Sequence, residues 1–205
     1  RGHALHPVTA PTRRALQVDD PLRGISYPAQ LWVPPGEGEC RLVAFSHGGG
    51  GSHQLYSTVA RHLATRGFAV VLPEHPGNNR RDNTLRGTLQ NLQDRPRHLV
   101  LAMDAVRDDA EVGPRLRRGW AAVVGHSMGG YTALAVAGGR AHSEQGEFVE
   151  VEPDPRVRAL VLLAPATAWF MAPEALRGIE LPILLMEAEH DPITPAWQGE
   201  LVLGG

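Results

Sequence analysis

The chain has 205 residues, 42% hydrophobic and 20% charged, which suits one globular domain with a substantial core. Its formal net charge of −2 offers no electrostatic case for nucleic acid or an anionic membrane surface. The basic residues are all scattered arginines, the single cysteine, Cys40, excludes an intrachain disulfide, and no apolar run is long enough to span a bilayer.

Residues 1–13 are polar and Pro-containing and read as a loosely held arm, which leaves 14–205 as the domain. Arg14–Val18 and Ser26–Val33 read as two strands around a turn at Asp20-Pro21, closed by Pro34-Pro35-Gly36. Cys40 lies in the Pro/Gly/Glu-rich turn that follows, with no histidine beside it to make it a catalytic thiol. Arg41–Ser46 (RLVAFS) is an apolar strand that feeds the run Gly48–Gly51. Leu55–Arg66 places Val59, Ala60, Leu63 and Ala64 at helical spacing, with Gly67 as its stop. Phe68–Leu72 (FAVVL) is a strand, and the polar stretch Glu74–Arg95 reads as a long surface loop.

Helical periodicity resumes over Pro96–Ala110 through Leu99, Met103 and Val106. Trp120–Val124 is a strand that runs into Gly-His-Ser-Met-Gly, and Gly130–Ala137 reads as the helix after it. A charged loop, Arg140–Arg156, a strand, Val157–Leu163, a short helix, Pro173–Leu176, and a strand, Ile183–Met186, complete the pattern. Strands apolar on both faces, alternating with helices, predict an α/β fold: a mostly parallel sheet with helices on both sides. Active sites in such sheets lie at the carboxyl ends of the strands.

Three chemistry-bearing segments fall at such ends. The first is Gly125-His126-Ser127-Met128-Gly129, the G-x-S-x-G pattern. It places a serine on a sharp strand-to-helix turn, where small residues two before and two after avoid clashes. A bystander serine in a Gly-rich turn would carry the same letters. The apolar strand before it and the Gly/Ala-rich helix after it favour Ser127 as nucleophile, with the Met128 N–H at a helix start where an anion is stabilised. The second is Ser46-His47-Gly48-Gly49-Gly50-Gly51. Glycines let backbone N–H groups approach a ligand closely, and the Gly49 N–H is the expected second oxyanion donor, with Gly48 and Gly50 as alternatives. His47 is expected to brace this loop. The third is Glu187-Ala188-Glu189-His190-Asp191-Pro192 after a strand, in which Asp191 is the expected acid, with Glu187 and Glu189 as alternatives.

With these segments the chain resembles the α/β-hydrolase superfamily. Within it the chain is similar to the group containing dienelactone hydrolases, platelet-activating-factor acetylhydrolases and cutinase-type esterases. FSHGGGGS, GHSMGG, LPILLMEAEHDPITP and RGFAVVLPEHPGNN carry the resemblance, which covers residues 14–195. It implies a serine esterase with Ser127 as nucleophile, Asp191 as acid, Gly49 and Met128 as oxyanion donors, a small-molecule ester as substrate, and no cofactor. Two features depart from the group. The acetylhydrolases carry their acid after the strand that follows the elbow helix, where LLAPATAW here has no carboxylate. The polyester hydrolases usually carry C-terminal disulfides.

The fold's order is Ser, acid, then His, and Trp197–Gly205 contains no histidine. The expectation is a catalytic His beyond Gly205, with the last strand and helix of the fold, so that 14–205 is an incomplete α/β-hydrolase domain. An edge left open in this way invites self-association. Among the histidines present, His53 and His75 are the internal candidates for the base. His126 and His190 are badly directed for it; His62 and His98 read as helix-surface residues, and His3, His6 and His142 as exposed. No pair has the compact spacing of a metal site. The alternative reading is a non-catalytic binding or scaffold protein on the same fold. The Glu74–Arg95 and Arg140–Arg156 segments are expected to shape the pocket.

Overall fold

β3 (Cys40–Ser46) and β4 (Phe68–Pro73) send successive side chains to opposite faces. Leu42, Ala44, Ala69 and Val71 enter one core, while Val43, Phe45, Val70 and Leu72 enter another. Strands apolar on both faces must be covered on both. α1 (Ser57–Thr65) covers one face with Ala60 and Ala64. α2 (Leu89–Arg107) and α3 (Met128–Val136) cover the other with Leu99, Met103 and Leu134.

The structure is a computed structural model that describes residues 10–204. The remaining elements are β1 (Thr12–Asp20), β2 (Ile25–Val33), β5 (Leu116–His126), β6 (Val157–Leu163), β7 (Ile183–Met186) and α4 (Trp197–Leu203). The seven strands form one sheet in the order β1-β2-β4-β3-β5-β6-β7. β1 pairs antiparallel with β2, and β2 antiparallel with β4; the pairs from β4 through β7 are parallel. This is the mostly parallel sheet with helices on both faces expected from the strand pattern. β3 and β5 are adjacent at its centre, so the Gly run and the serine turn emerge side by side.

Several boundaries differ from the sequence reading. β1 begins at Thr12, inside the segment expected as an arm; residues 1–9, with His3 and His6, lie outside the described residues. Cys40 is the buried first residue of β3, not part of a turn. α2 starts at Leu89, within the expected loop, and runs straight through Pro96. Its N-terminus is capped by Thr88, whose hydroxyl accepts from the Asn91 N–H at 3.1 Å. Proline at position 96 removes the bond to the Leu92 carbonyl, but the Tyr131 hydroxyl donates to that carbonyl instead, at 2.9 Å. Asn91, Asp94 and Arg95 are buried on this first half, which erased the apolar periodicity. Pro173–Leu176 forms turns and no helix; the nearest helical turn is the 3₁₀ segment Ala168–Phe170, and α4 was not foreseen.

Leu99 is fully buried between α2 and the sheet. Leu99→Ala should cost about 2–5 kcal/mol of stability, because the surrounding core relaxes only partly around the cavity. Urea unfolding checks this; a loss below about 1 kcal/mol would place Leu99 outside the tightly packed core.

Candidate active site

Ser127 joins β5 to α3 with φ 53° and ψ −116°, a backbone state that non-glycine residues seldom adopt. Three hydrogen bonds hold it there. Its N–H donates to the Leu163 carbonyl at 3.0 Å, and its carbonyl accepts from Gly130 N–H at 2.8 Å and Ala166 N–H at 2.9 Å. The flanking glycines are required by close approach. A Cβ on Gly125 would collide with the Gly129 carbonyl, one on Gly129 with the Ser46 carbonyl, and one on Gly130 with Pro165. The Ser127 side chain is half-buried, and the Met128 N–H stands at the first position of α3, where no intrahelical acceptor is available.

The Gly run lies directly against this turn. A Cβ on Gly48 would sit 3.5 Å from Ser127 Cβ, and one on Gly49 would sit 3.5 Å from Met128 Cβ. The N–H groups of the run are not equivalent. Gly48 N–H donates to the Tyr56 hydroxyl at 3.2 Å, Gly50 N–H to the Asn78 carbonyl at 3.3 Å, and Gly51 N–H to the Gly48 carbonyl at 3.0 Å. Among the described residues only the Gly49 N–H of the four has no hydrogen-bond acceptor, and Gly49 is exposed.

His47 braces the loop. Its Nε2 accepts from the His75 N–H at 3.0 Å, so the ring proton is on Nδ1, which donates to the Gly48 carbonyl at 2.7 Å. Tyr56 was missed at the sequence level. Its hydroxyl accepts from Gly48 N–H and shares a hydrogen bond with His126 Nδ1 at 2.8 Å, tying the loop to the elbow. Burial lowers the His126 pKa, and the Asp191 charge opposes that shift.

Asp191 follows β7 in a partly exposed turn. Its carboxylate accepts from Ile193 N–H at 2.8 Å, Thr194 N–H at 3.1 Å and the Thr194 hydroxyl at 2.8 Å. The Thr194 N–H, then the Ile193 N–H and the Thr194 hydroxyl, hold its pKa below the usual carboxylate range. Glu187 packs against Gly199 of α4, and Glu189 is exposed. Among the described residues, no side chain hydrogen-bonds the Ser127 hydroxyl. His53 is instead bonded through Nδ1 to Glu74, and His75 Nε2 to the Ser46 hydroxyl at 2.8 Å. His190 and His62 are exposed, whereas His142 is half-buried rather than exposed.

The family model of the serine aminopeptidase S33 hydrolases (Hydrolase_4) matches residues 38–176, from the start of β3 past the serine turn. The chain belongs to this family. It is 29% identical over 165 residues to the cutinase est2 of Thermobifida alba, covering 80% of this chain and 46% of that protein. The chain thus spans about half the length of the curated relatives it matches. The dienelactone hydrolase of Anabaena variabilis superposes with a TM-score of 0.63 at 24% identity, covering 86% of this chain and 73% of the other. A dienelactone hydrolase-like promiscuous phosphotriesterase, P91, from metagenomic libraries superposes with a TM-score of 0.64 at 20% identity, covering 96% and 76%. These superpositions establish the α/β-hydrolase fold.

In this S33-family chain one cleft, about 960 Å³, lies beside the end of the Gly run, lined by Arg14 and Gln30 of β1 and β2 and by Ser52, His53, Glu74 and Asn79. Of the two segments expected to shape the pocket, the first lines this cleft, which Ser127 does not border. The second does not: Glu150–Glu152 line a separate groove against α2. Behind the site lies a column of buried imidazoles, His47 against His75 at 4.8 Å and His75 against His98 at 5.8 Å between ring centroids. His98 is therefore a core residue, 1% exposed, not a helix-surface one.

Burial lowers the pKa of His47 to about 3 and of His98 to about 4, and pushes His75 well below 6.5. As pH falls below about 6.5, the unfolded chain binds protons that these folded imidazoles refuse. Stability present above that pH is lost as pH falls toward about 4, at about 1.4 kcal/mol per pH unit for each group. Among the described residues His98 has no hydrogen-bond partner on either ring nitrogen. His98→Phe should keep the stability at pH 7 and reduce the slope between pH 6 and pH 5 by about one proton. Urea unfolding at both values measures this, and an unchanged slope would exclude His98 from the titrating set.

Proposed function

We propose that this chain carries the nucleophile, oxyanion donors and acid of a serine hydrolase that cleaves carboxylic esters through an acyl-enzyme on Ser127. The observation that carries the reading is the strained Ser127 backbone, beside which the Gly49 and Met128 N–H groups have no hydrogen-bond acceptor among the described residues. Strain of this kind persists only where the surroundings enforce it, and it clusters at functional sites. The cutinase likeness supports an ester as the substrate class.

In this reading Ser127 Oγ attacks the ester carbonyl carbon. The carbonyl oxygen becomes an anion held by the Gly49 and Met128 N–H groups. A general base takes the hydroxyl proton and returns it to the departing alcohol oxygen, and water then releases the carboxylic acid. In this fold the base is ordinarily a histidine, and the acid, for which Asp191 stands here, orients it. The chemistry calls for no cofactor.

The native protein should hydrolyse p-nitrophenyl butyrate and be labelled at Ser127 by a fluorophosphonate probe. Ser127→Ala should abolish the labelling and lower turnover by about 10³ or more, down to what binding and the oxyanion hole supply alone. Retained activity in that variant, or a native protein that the probe leaves unlabelled, would overturn the assignment and favour a binding protein on this fold.

A further inference from the structure

Arg95 of α2 is 0% exposed, and a guanidinium so buried ordinarily pairs with a carboxylate. Here its hydrogen-bond acceptors are all neutral. Nε donates to Thr132 Oγ1 at 3.1 Å, Nη1 to Asn78 Oδ1 at 2.6 Å, and Nη2 to Ser46 Oγ at 3.3 Å and to the His47 carbonyl. Burial lowers its pKa to about 9, which leaves it charged at neutral pH.

These acceptors belong to the three segments around the two oxyanion donors. Ser46 and His47 lead directly into Gly48-Gly49. The Asn78 side chain comes within 3.6 Å of where a Cβ on Gly49 would lie, and the Asn78 backbone carbonyl accepts the Gly50 N–H. The Thr132 hydroxyl donates to the Met128 carbonyl at 3.2 Å, one turn into α3.

Peptide planes transmit the constraint. The 47–48 peptide is held at both ends, its carbonyl by Arg95 and its N–H by Tyr56. In the next peptide the Gly48 carbonyl accepts from Gly51 N–H and His47 Nδ1, so the Gly49 N–H on the other side of that rigid plane has a set direction. A cation with no carboxylate partner also leaves a positive field that buried surroundings screen weakly.

We propose that Arg95 is a positioning residue for the oxyanion hole. It sets the separation of the Gly49 and Met128 N–H groups, and its charge is answered only when the substrate carbonyl oxygen becomes an anion. The inference rests on the reading of Ser127 as nucleophile. Because the anion exists only in the transition state and intermediate, Arg95 should act on kcat and leave KM nearly unchanged.

The test compares native protein with Arg95→Met and Arg95→Lys, using p-nitrophenyl butyrate kinetics, the rate of fluorophosphonate labelling and thermal melts. Arg95→Met should lose about 10²–10³ in kcat, the scale of one oxyanion donor, with KM within about threefold of native. Arg95→Lys, which keeps the charge without the planar fork, should recover about tenfold of that loss. A folded Arg95→Met with kcat within about threefold of native, or a loss confined to KM, overturns the inference. A lysine variant no faster than the methionine one overturns the role of the charge. If Arg95→Met does not fold, Thr132→Val removes the acceptor that ties Arg95 to α3 and leaves the cation in place. It should lower kcat by about three- to tenfold at unchanged KM, and an unchanged kcat overturns the inference. The two readings fail differently. A native protein unlabelled at Ser127 sinks the nucleophile, whereas equal labelling rates in native protein and Arg95→Met sink only the role of Arg95.

Discussion

Three backbone segments meet at van der Waals distance around Ser127, and the rest of the site depends on that contact. The end of β3 presses the Ser46 carbonyl onto Gly129, the start of α3 presses Gly129 onto Gly125, and the loop after β6 presses Pro165 onto Gly130. Side chains at these three positions would force the segments apart. Their absence lets the Leu163 carbonyl and the Ala166 N–H clamp Ser127 in its unfavourable dihedrals. The same approach brings Gly48 and Gly49 alongside Ser127 and Met128. The cost of the strained residue is thereby spread over hydrogen bonds and packing in three strands.

Behind this contact the molecule places polar groups where a core would ordinarily be apolar. Arg95, His47, His75 and His98 are all buried, and His75 Nδ1 and both His98 ring nitrogens are without partners among the described residues. Such groups weaken a fold unless other contacts offset them. The flanking packing of Leu99, Met103, Tyr131 and Leu134 supplies much of that offset. The arrangement separates two duties: apolar faces of α2 and α3 hold the sheet, while one polar stripe between them holds the loop that presents Gly49.

How much was legible in advance follows from the range of the signals. The apolar strands were readable because each buries both faces, so their composition alone announces them. The elbow was readable because its five-residue pattern is local: Gly125 is demanded by the Gly129 carbonyl, although Gly129 itself answers to the Ser46 carbonyl far along the chain. The start of α2 was not. Asn91, Asp94 and Arg95 face inward there, and the proline at 96 reads locally as a helix start; only Tyr131, far along the chain, completes the Leu92 carbonyl. His98 was misplaced for the same reason, since a polar residue on a helix reads as exposed unless its tertiary neighbours are known.

The sequence by itself determined the α/β class, the serine turn, the Gly run and the acidic turn after β7, because each shows in a pattern of neighbours a few residues apart. Tertiary structure alone decided which glycine N–H is unengaged, since Tyr56, Asn78 and Gly48 take the others from distant or folded-back positions. It also decided that Arg95 lies beneath the site and that Tyr56 joins the loop to His126. Hydrogen-bond partners across dozens of residues leave no periodic trace in the chain, because they depend on where the sheet delivers its strand ends.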